Sequence, residues 1–159
     1  MNTAIIYTSK HGTTEKVAQK IAAQLSNGTV EIFNLKTDRE IDLGKFDTVI
    51  LGTAIYADTP MQAMKKFCIA QNNTLQAKRL GLFVCGMEPD KEKQQAEITG
   101  AFPQNLCEKA ISTAFLGGEF LFETMNFFEK MVIRKIAKTD KSVSAIKEER
   151  IKEFVGFMS

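Results

Sequence analysis

Apolar residues along this chain switch between two rhythms. Ala4-Ile5-Ile6-Tyr7, Asp47–Thr53 (DTVILGT), Arg79–Cys85 (RLGLFVC) and Ala110–Leu116 (AISTAFL) are nearly continuous apolar runs, the pattern of strands covered on both faces. Thr29–Leu35 (TVEIFNL) alternates instead, with Val30, Ile32 and Asn34 on one side, as a half-covered strand would. Between the runs the period lengthens. Val17, Ala18, Ile21, Ala22 and Leu25 recur at helical spacing, and Asn27-Gly28 is the expected stop. Pro60 stands where a second helix would begin, with Met61, Met64, Lys65, Phe67 and Cys68 following. Lys91–Thr99 is polar and helix-prone, and Ala101–Leu106 is expected to continue it beyond Pro103. Gly117-Gly118 closes the fifth strand.

Five strands alternating with helices predict a parallel sheet with helices on both faces. Ligands in such sheets sit beyond the carboxyl ends of the strands, at a switch point. The loops after the first, third and fourth strands are therefore the candidate site: the segment after Tyr7, Thr53–Thr59 (TAIYADT) and Cys85–Asp90 (CGMEPD).

The last quarter is less regular. In Glu119–Lys138, the residues Leu121, Met125, Phe128, Val132 and Ile136 fall on one helical stripe, widened by Phe127, Met131 and Ile133. Five basic residues and one acid lie between Lys130 and Lys141. A second amphipathic segment, Ser144–Met158, ends the sequence. The stripe suits a helix docked on the core or on a second copy in a homodimer. Peripheral contact of residues 119–138 with a membrane or quinone is the competing reading.

At 159 residues the sequence fits one domain, 1–159. It is 44% hydrophobic and 25% charged, values that argue against disorder. No apolar run reaches the ~18 residues of a membrane span, and the first apolar stretch ends at Tyr7, too early for a signal peptide. Cys68, Cys85 and Cys107 are odd in number and far apart, without a C-x-x-C pair, which suits reduced thiols in a cytoplasm. His11 is the single histidine, so a His-rich metal site is excluded. A formal charge of +2 gives no case for nucleic acid.

The densest chemistry lies just after the first strand. Five of the seven residues from Thr8 to Thr14 carry a hydroxyl or are glycine: Thr8, Ser9, Gly12, Thr13 and Thr14, broken by Lys10 and His11. A strand, a tight loop and a helix start place unpaired N–H groups and the positive end of the backbone dipole at one point. Hydroxyls of Ser9, Thr13 and Thr14 add donors, and Gly12 lets the backbone approach closely. The segment reads as a phosphate cradle. An ordinary turn with Thr13 as N-cap is the alternative, but a cap needs one hydroxyl only. Neither G-x-G-x-x-G nor G-x-x-x-x-G-K-[ST] occurs.

The run T-S-K-H-G-T-T directly after I-I-Y resembles the flavin mononucleotide (FMN) loop of the flavodoxin family, roughly [T/S]-x-[T/S]-x-x-G-x-T, with Ser9, Gly12 and Thr14 on its core positions. The resemblance covers most of the chain. It implies a flavodoxin-like doubly wound five-stranded sheet of order 2-1-3-4-5, FMN as cofactor and redox proteins as partners. It also implies that Thr53, Ala54, Ile55, Tyr56, Ala57 and Asp58 form the third-strand flavin loop, with Tyr56 stacked on the ring. Cys85, Gly86 and Met87 would form the fourth-strand loop, with N–H groups around Gly86 meeting the flavin's pyrimidine oxygens. Lys10 and His11 depart from the uncharged residues common in the phosphate loop, and a near-neutral chain departs from the strongly acidic carriers. Met87 stands where a second aromatic is frequent. Flavodoxins also commonly place glycine after the stacking aromatic; here Ala57 or Asp58 takes that place, which disfavours a left-handed turn and favours two-electron chemistry.

The long aromatic-then-basic insertion after the fifth strand resembles the menaquinone-dependent protoporphyrinogen oxidases, a flavodoxin-fold family. Leu51–Phe67 aligns with their third-strand loop without a gap. Two functions follow: an electron carrier docking on partner proteins, or a flavoenzyme passing electrons from protoporphyrinogen or another reduced substrate to a quinone. A flavodoxin fold without flavin is the third. The sequence offers no paired carboxylates and no nucleophile with a base, so the cofactor would carry the chemistry.

Overall fold

The computed structural model describes residues 1–56, 59–120, 131 and 143–159. Five strands form its main sheet: β1 (Asn2–Tyr7), β2 (Thr29–Asn34), β3 (Thr48–Tyr56), β5 (Arg79–Cys85) and β6 (Ser112–Phe115). They lie in the order β2-β1-β3-β5-β6, which is 2-1-3-4-5 for the main strands taken alone. All four pairings are parallel. The two-residue β4 (Thr59–Pro60) folds back antiparallel on β3. The helices are α1 (Thr13–Gln24), α2 (Gln62–Ala70), α3 (Asn72–Gln76), α4 (Lys91–Ala101), α5 (Gln104–Lys109) and α6 (Glu148–Met158).

Successive strand residues point to opposite faces, and both faces are apolar here. Ala4, Ile6, Val49, Leu51, Leu80, Leu82 and Val84 join Met64 and Cys68 of α2, Leu75 of α3, Ile98 of α4 and Leu106 of α5 in one core. Ile5, Tyr7, Ile50, Phe83 and Cys85 join Val17, Ala18 and Ile21 of α1 and Ile151, Phe154, Val155 and Met158 of α6 in the other. Each fully buried Ile, Leu or Phe contributes about 1.5–3 kcal/mol. On the second face, Phe83 meets Phe154 edge-on, with ring centroids 6.1 Å apart. Two glycines make that contact fit. A Cβ on Gly52 would run into the Phe83 ring, and one on Gly81 would lie 2.7 Å from the Met158 sulfur and 2.9 Å from Phe154.

Several boundaries differ from expectation. α1 ends at Gln24, and Gly28, with φ 91°, serves the turn into β2, where a Cβ would strike the Met1 carbonyl. β2 is an edge strand, so Ile32 stays exposed while Phe33 packs against the opposite core. Pro60 belongs to β4, and α2 begins two residues later. A proline lacks the N–H that a continuing helix needs, so Pro103 divides the expected continuation into α4 and α5. Glu119–Phe120 are not helical; they form strand β7, paired antiparallel with β8 (Val143–Ser144). The terminal helix starts at Glu148 rather than Ser144. The stripe through Leu121, Met125, Phe128, Val132 and Ile136 lies outside the described residues; of that segment Met131 is helical and exposed. Among the described residues no helix is long and apolar enough to cross a membrane.

Gly52→Ala should destabilise the fold by roughly 1–3 kcal/mol through overpacking against Phe83. Gly100→Ala, in α4 with nothing within 4 Å of the added methyl, should stabilise it by about 0.5–1 kcal/mol. Urea unfolding of both variants checks the pair.

Candidate functional site

The order β2-β1-β3 puts the switch point between β1 and β3, because the chain leaves β1 for one side and later returns to the other. Register aligns their ends: Tyr7 lies beside Gly52, and Ala54 beside Cys85. The loops after β1, β3 and β5 therefore leave the sheet side by side. Two bonds tie the first two together. The Thr8 N–H donates to the Gly52 carbonyl at 3.0 Å, and the buried Thr8 and Thr53 hydroxyls meet at 2.7 Å. Both side chains brace the loops from inside rather than facing outward.

The loop Thr8–Gly12 turns into α1 through Gly12, which takes φ 91° at the cap position. A residue with a Cβ pays about 1–2 kcal/mol for that conformation. Ser9 Oγ accepts from the Gly12 N–H at 2.9 Å, so it organises the loop. Lys10 is exposed and His11 half-buried. Thr13 is the first residue of α1 and not its cap, and no side chain caps the helix. The amides of Thr13, Thr14 and Glu15 open the helix and have no intrahelical acceptor by geometry. Around Gly12 there is open space: a Cβ built there meets nothing within 4 Å.

Two threonines at this first turn are buried, and their hydroxyls differ. Thr13 Oγ1 donates to Glu119 Oε1 at 3.3 Å. Thr14 Oγ1 is fully buried and has no hydrogen-bond partner of standard geometry among the described residues. Leaving a buried hydroxyl unmatched costs about 1–3 kcal/mol. Burial pushes the neighbouring Cys85 thiol up to about 12, against a smaller downward pull from the Thr14 hydroxyl. Cys85 is therefore a neutral thiol at the end of a buried strand, beside the first turn of α1.

In the fourth-strand loop the Gly86 N–H already donates to the Gly117 carbonyl at 2.9 Å. That bond occupies the Gly86 amide itself and leaves the expected contacts to the other N–H groups around Gly86. The close packing here depends on Gly118, where a Cβ would stand 2.9 Å from the Gly86 carbonyl. Met87 is half-buried. The loop is braced from behind by Gln94, whose Nε2 donates to the Glu88 carbonyl at 2.7 Å, while Arg150 holds both Gln94 and the Phe115 carbonyl. In the third-strand loop, Ala54 and Ile55 are half-buried and Tyr56 ends β3. Ala57 and Asp58 lie outside the described residues.

Glu119 carries a role that the helical-stripe reading hid. Placed by β7, its carboxylate takes the Lys16 ammonium at 3.0 and 3.1 Å, and its side chain is only 5% exposed. Burial alone would raise its carboxyl, but hydrogen bonds from Lys16, Ser144 and Thr13 and the Lys16 charge outweigh it and hold the group below the ordinary carboxylate range. A separate open cleft of about 290 Å³ lies over the free edge of β6, between Lys91 and Gln94 of α4 and Arg150 and Phe157 of α6. None of its lining residues belongs to the three loops.

A doubly wound parallel sheet with an anion-ready helix start at its switch point defines a nucleotide-binding class of α/β protein. The chain belongs to the flavodoxin family: the family model described as "Flavodoxin domain" matches residues 4–146. Solved structures agree on the fold. Oxidised flavodoxin 1 of Bacillus cereus superposes with a TM-score of 0.61 at 15% identity, covering 99% of this chain and 94% of that one. The two-electron reduced flavodoxin of Megasphaera elsdenii gives 0.59 at 17% identity, with 99% of each chain covered. A Fusobacterium nucleatum flavodoxin bound to flavin mononucleotide gives 0.53 at 14% identity, covering 99% and 96%. No curated protein matches the chain.

A carboxyl with a lowered folded-state pKa stabilises the fold above its unfolded value, and that contribution is lost as pH falls through the folded one. Stability should therefore drop on acidification from neutral pH to about pH 3 more steeply in the wild type than in Glu119→Gln. Urea unfolding at the two pH values measures the difference. Equal slopes would remove Glu119 from the acid response.

Proposed function

We propose that this chain binds FMN non-covalently at the carboxyl edge of its sheet and passes electrons to redox partner proteins. The observation that carries the reading is the Thr14 hydroxyl at the first turn of α1, buried and without a hydrogen-bond partner of standard geometry among the described residues, beside the open space at Gly12. A phosphate there would accept from Thr14 Oγ1 and from the helix-opening amides. Lys10 and His11 would border it, and Ser9 would keep Gly12 in its left-handed turn. The isoalloxazine ring would lie between the loop Thr53–Asp58, with Tyr56 as its stacking face, and the loop Cys85–Met87.

Bound flavin supplies the redox chemistry; the protein supplies position, exclusion of water and the local field. Thr8 and Thr53 hold the first two loops at fixed separation. Gln94 and Arg150 hold the third. The neutral Cys85 thiol keeps a reactive sulfur anion away from the ring. Three free cysteines suit a reducing cytoplasm, and the chain acts as one domain. A Fusobacterium nucleatum flavodoxin of the same fold binds flavin mononucleotide, which supports the choice of cofactor.

Thr14→Val separates fold from ligand, as Gly12→Val does not, since φ 91° at Gly12 makes any side chain there strain the backbone. Without ligand, Thr14→Val should melt at or above the wild-type temperature, because an orphaned hydroxyl is removed. Its FMN affinity should fall roughly tenfold or more, by one hydrogen bond to a charged acceptor of about 1.5–3 kcal/mol. Riboflavin, which lacks the phosphate, should bind both proteins alike. Equal losses for the two ligands would dismiss the cradle. Rapid reoxidation of the reduced holoprotein by a menaquinone analogue, with porphyrinogen turnover, would favour the quinone-coupled oxidase over the carrier.

A further inference from the structure

We propose that Glu119 is a built-in competitor for the phosphate site, holding the Thr13 hydroxyl and the Lys16 ammonium that an incoming phosphate would otherwise recruit. The inference rests on the cradle assigned above and adds what limits its affinity. Thr13 and Thr14 are adjacent residues of the same helical turn, yet among the described residues only the Thr13 hydroxyl has a hydrogen-bond partner of standard geometry, and that partner is an anion. That anion is held firmly. Lys16 bonds both carboxylate oxygens, Ser144 of β8 donates to it, and the β7–β8 pair fixes its backbone opposite Ser144. Gly117, with φ 80°, packs so closely on the Ala145 carbonyl that a Cβ would collide, and Ala145 N–H donates to Gly118 at 2.7 Å. The ribbon therefore delivers Glu119 to α1 along a short, tight path.

A phosphate dianion at the first turn of α1 would stand within one helical turn of this carboxylate, in a partly buried setting where salt screens poorly. Like charges that close raise each other's pKa and lower each other's occupancy. Among the described residues, the groups shown facing Glu119 are Lys16 and Thr13 on α1, Ser144 on β8, and the neutral Cys85 thiol at the end of β5. Lys16 is the one cation among them, and Glu119 already neutralises it. A phosphate must share that lysine or displace the carboxylate.

The test compares FMN with riboflavin on purified full-length protein. In Glu119→Gln the FMN dissociation constant should fall about tenfold or more while that of riboflavin stays put. Inorganic phosphate should compete with FMN at correspondingly lower concentration. If the wild type prefers FMN to riboflavin and Glu119→Gln leaves that preference unchanged, the competitor role is overturned while the cradle stands. If neither protein distinguishes the two ligands, the cradle itself falls and the competitor with it. Should Glu119→Gln fail to fold, the wild type decides. Its Glu119 side-chain carbon resonance, followed by NMR against pH, should titrate at higher pH when saturated with FMN than without it. A titration unmoved by FMN, with the ligand bound, would leave Glu119 a structural tie only.

Discussion

Burying β1, β3 and β5 on both faces takes away every route to solvent except their ends. Residues alternate along each strand, so Ile5 and Ile6, or Ile50 and Leu51, enter different cores. Helices must then cover both sides: α1 and α6 on one, α2 to α5 on the other. Connections that wind in both directions leave a gap between β1 and β3, beyond their carboxyl ends. The loops there inherit a fixed geometry that they did not have to specify themselves. That is why two hydroxyls, Thr8 and Thr53, suffice to lock a junction between segments forty-five positions apart in sequence.

How much of this the sequence disclosed follows from where each signal is local. The continuous apolar runs are local, and β5 was delimited to the residue, Arg79–Cys85. The order of the strands is not local; it came through the family resemblance and not from periodicity. Boundaries failed where a tertiary contact decided them. Gly28 looked like a helix stop, but the Met1 carbonyl makes that position need glycine, and α1 had ended earlier. Pro60 looked like a helix start, but pairing with Ile55 draws it into β4. Glu119 looked like the first residue of an amphipathic stripe, because side-chain periodicity cannot register a β-ribbon whose second strand lies more than twenty residues away.

The candidate site shows the same division. Composition revealed that residues 8–14 are dense in hydroxyls and glycine, which suggested a cradle there. It could not reveal that those hydroxyls are unequal. Thr8 faces Thr53, Ser9 faces the Gly12 amide and Thr13 faces Glu119, while Thr14, beside the Cys85 thiol, has no hydrogen-bond partner of standard geometry among the described residues. Three of the four thus build the loop, and the fourth is the one the proposed phosphate would take. A motif counts residues of the right type; only the folded chain sorts scaffold from contact.

This sorting also bears on the chain's weak net charge. A formal charge of +2 says nothing of the field at the switch point, which is set by groups within a few ångströms. There the helix start and Lys16 are positive, and Glu119 cancels much of that potential. An uncompensated cluster of donors and a lysine would attract any passing anion, phosphate and nucleotides alike. In the proposed competitor role, a resident carboxylate would raise the threshold, so that a ligand with further contacts on the other two loops would be favoured. Selectivity at such a site comes as much from the anion already present as from the donors around it. The Thr14 hydroxyl, buried and without a partner of standard geometry among the described residues, is the complement of that arrangement: the donor the proposed phosphate would take without contest from the carboxylate.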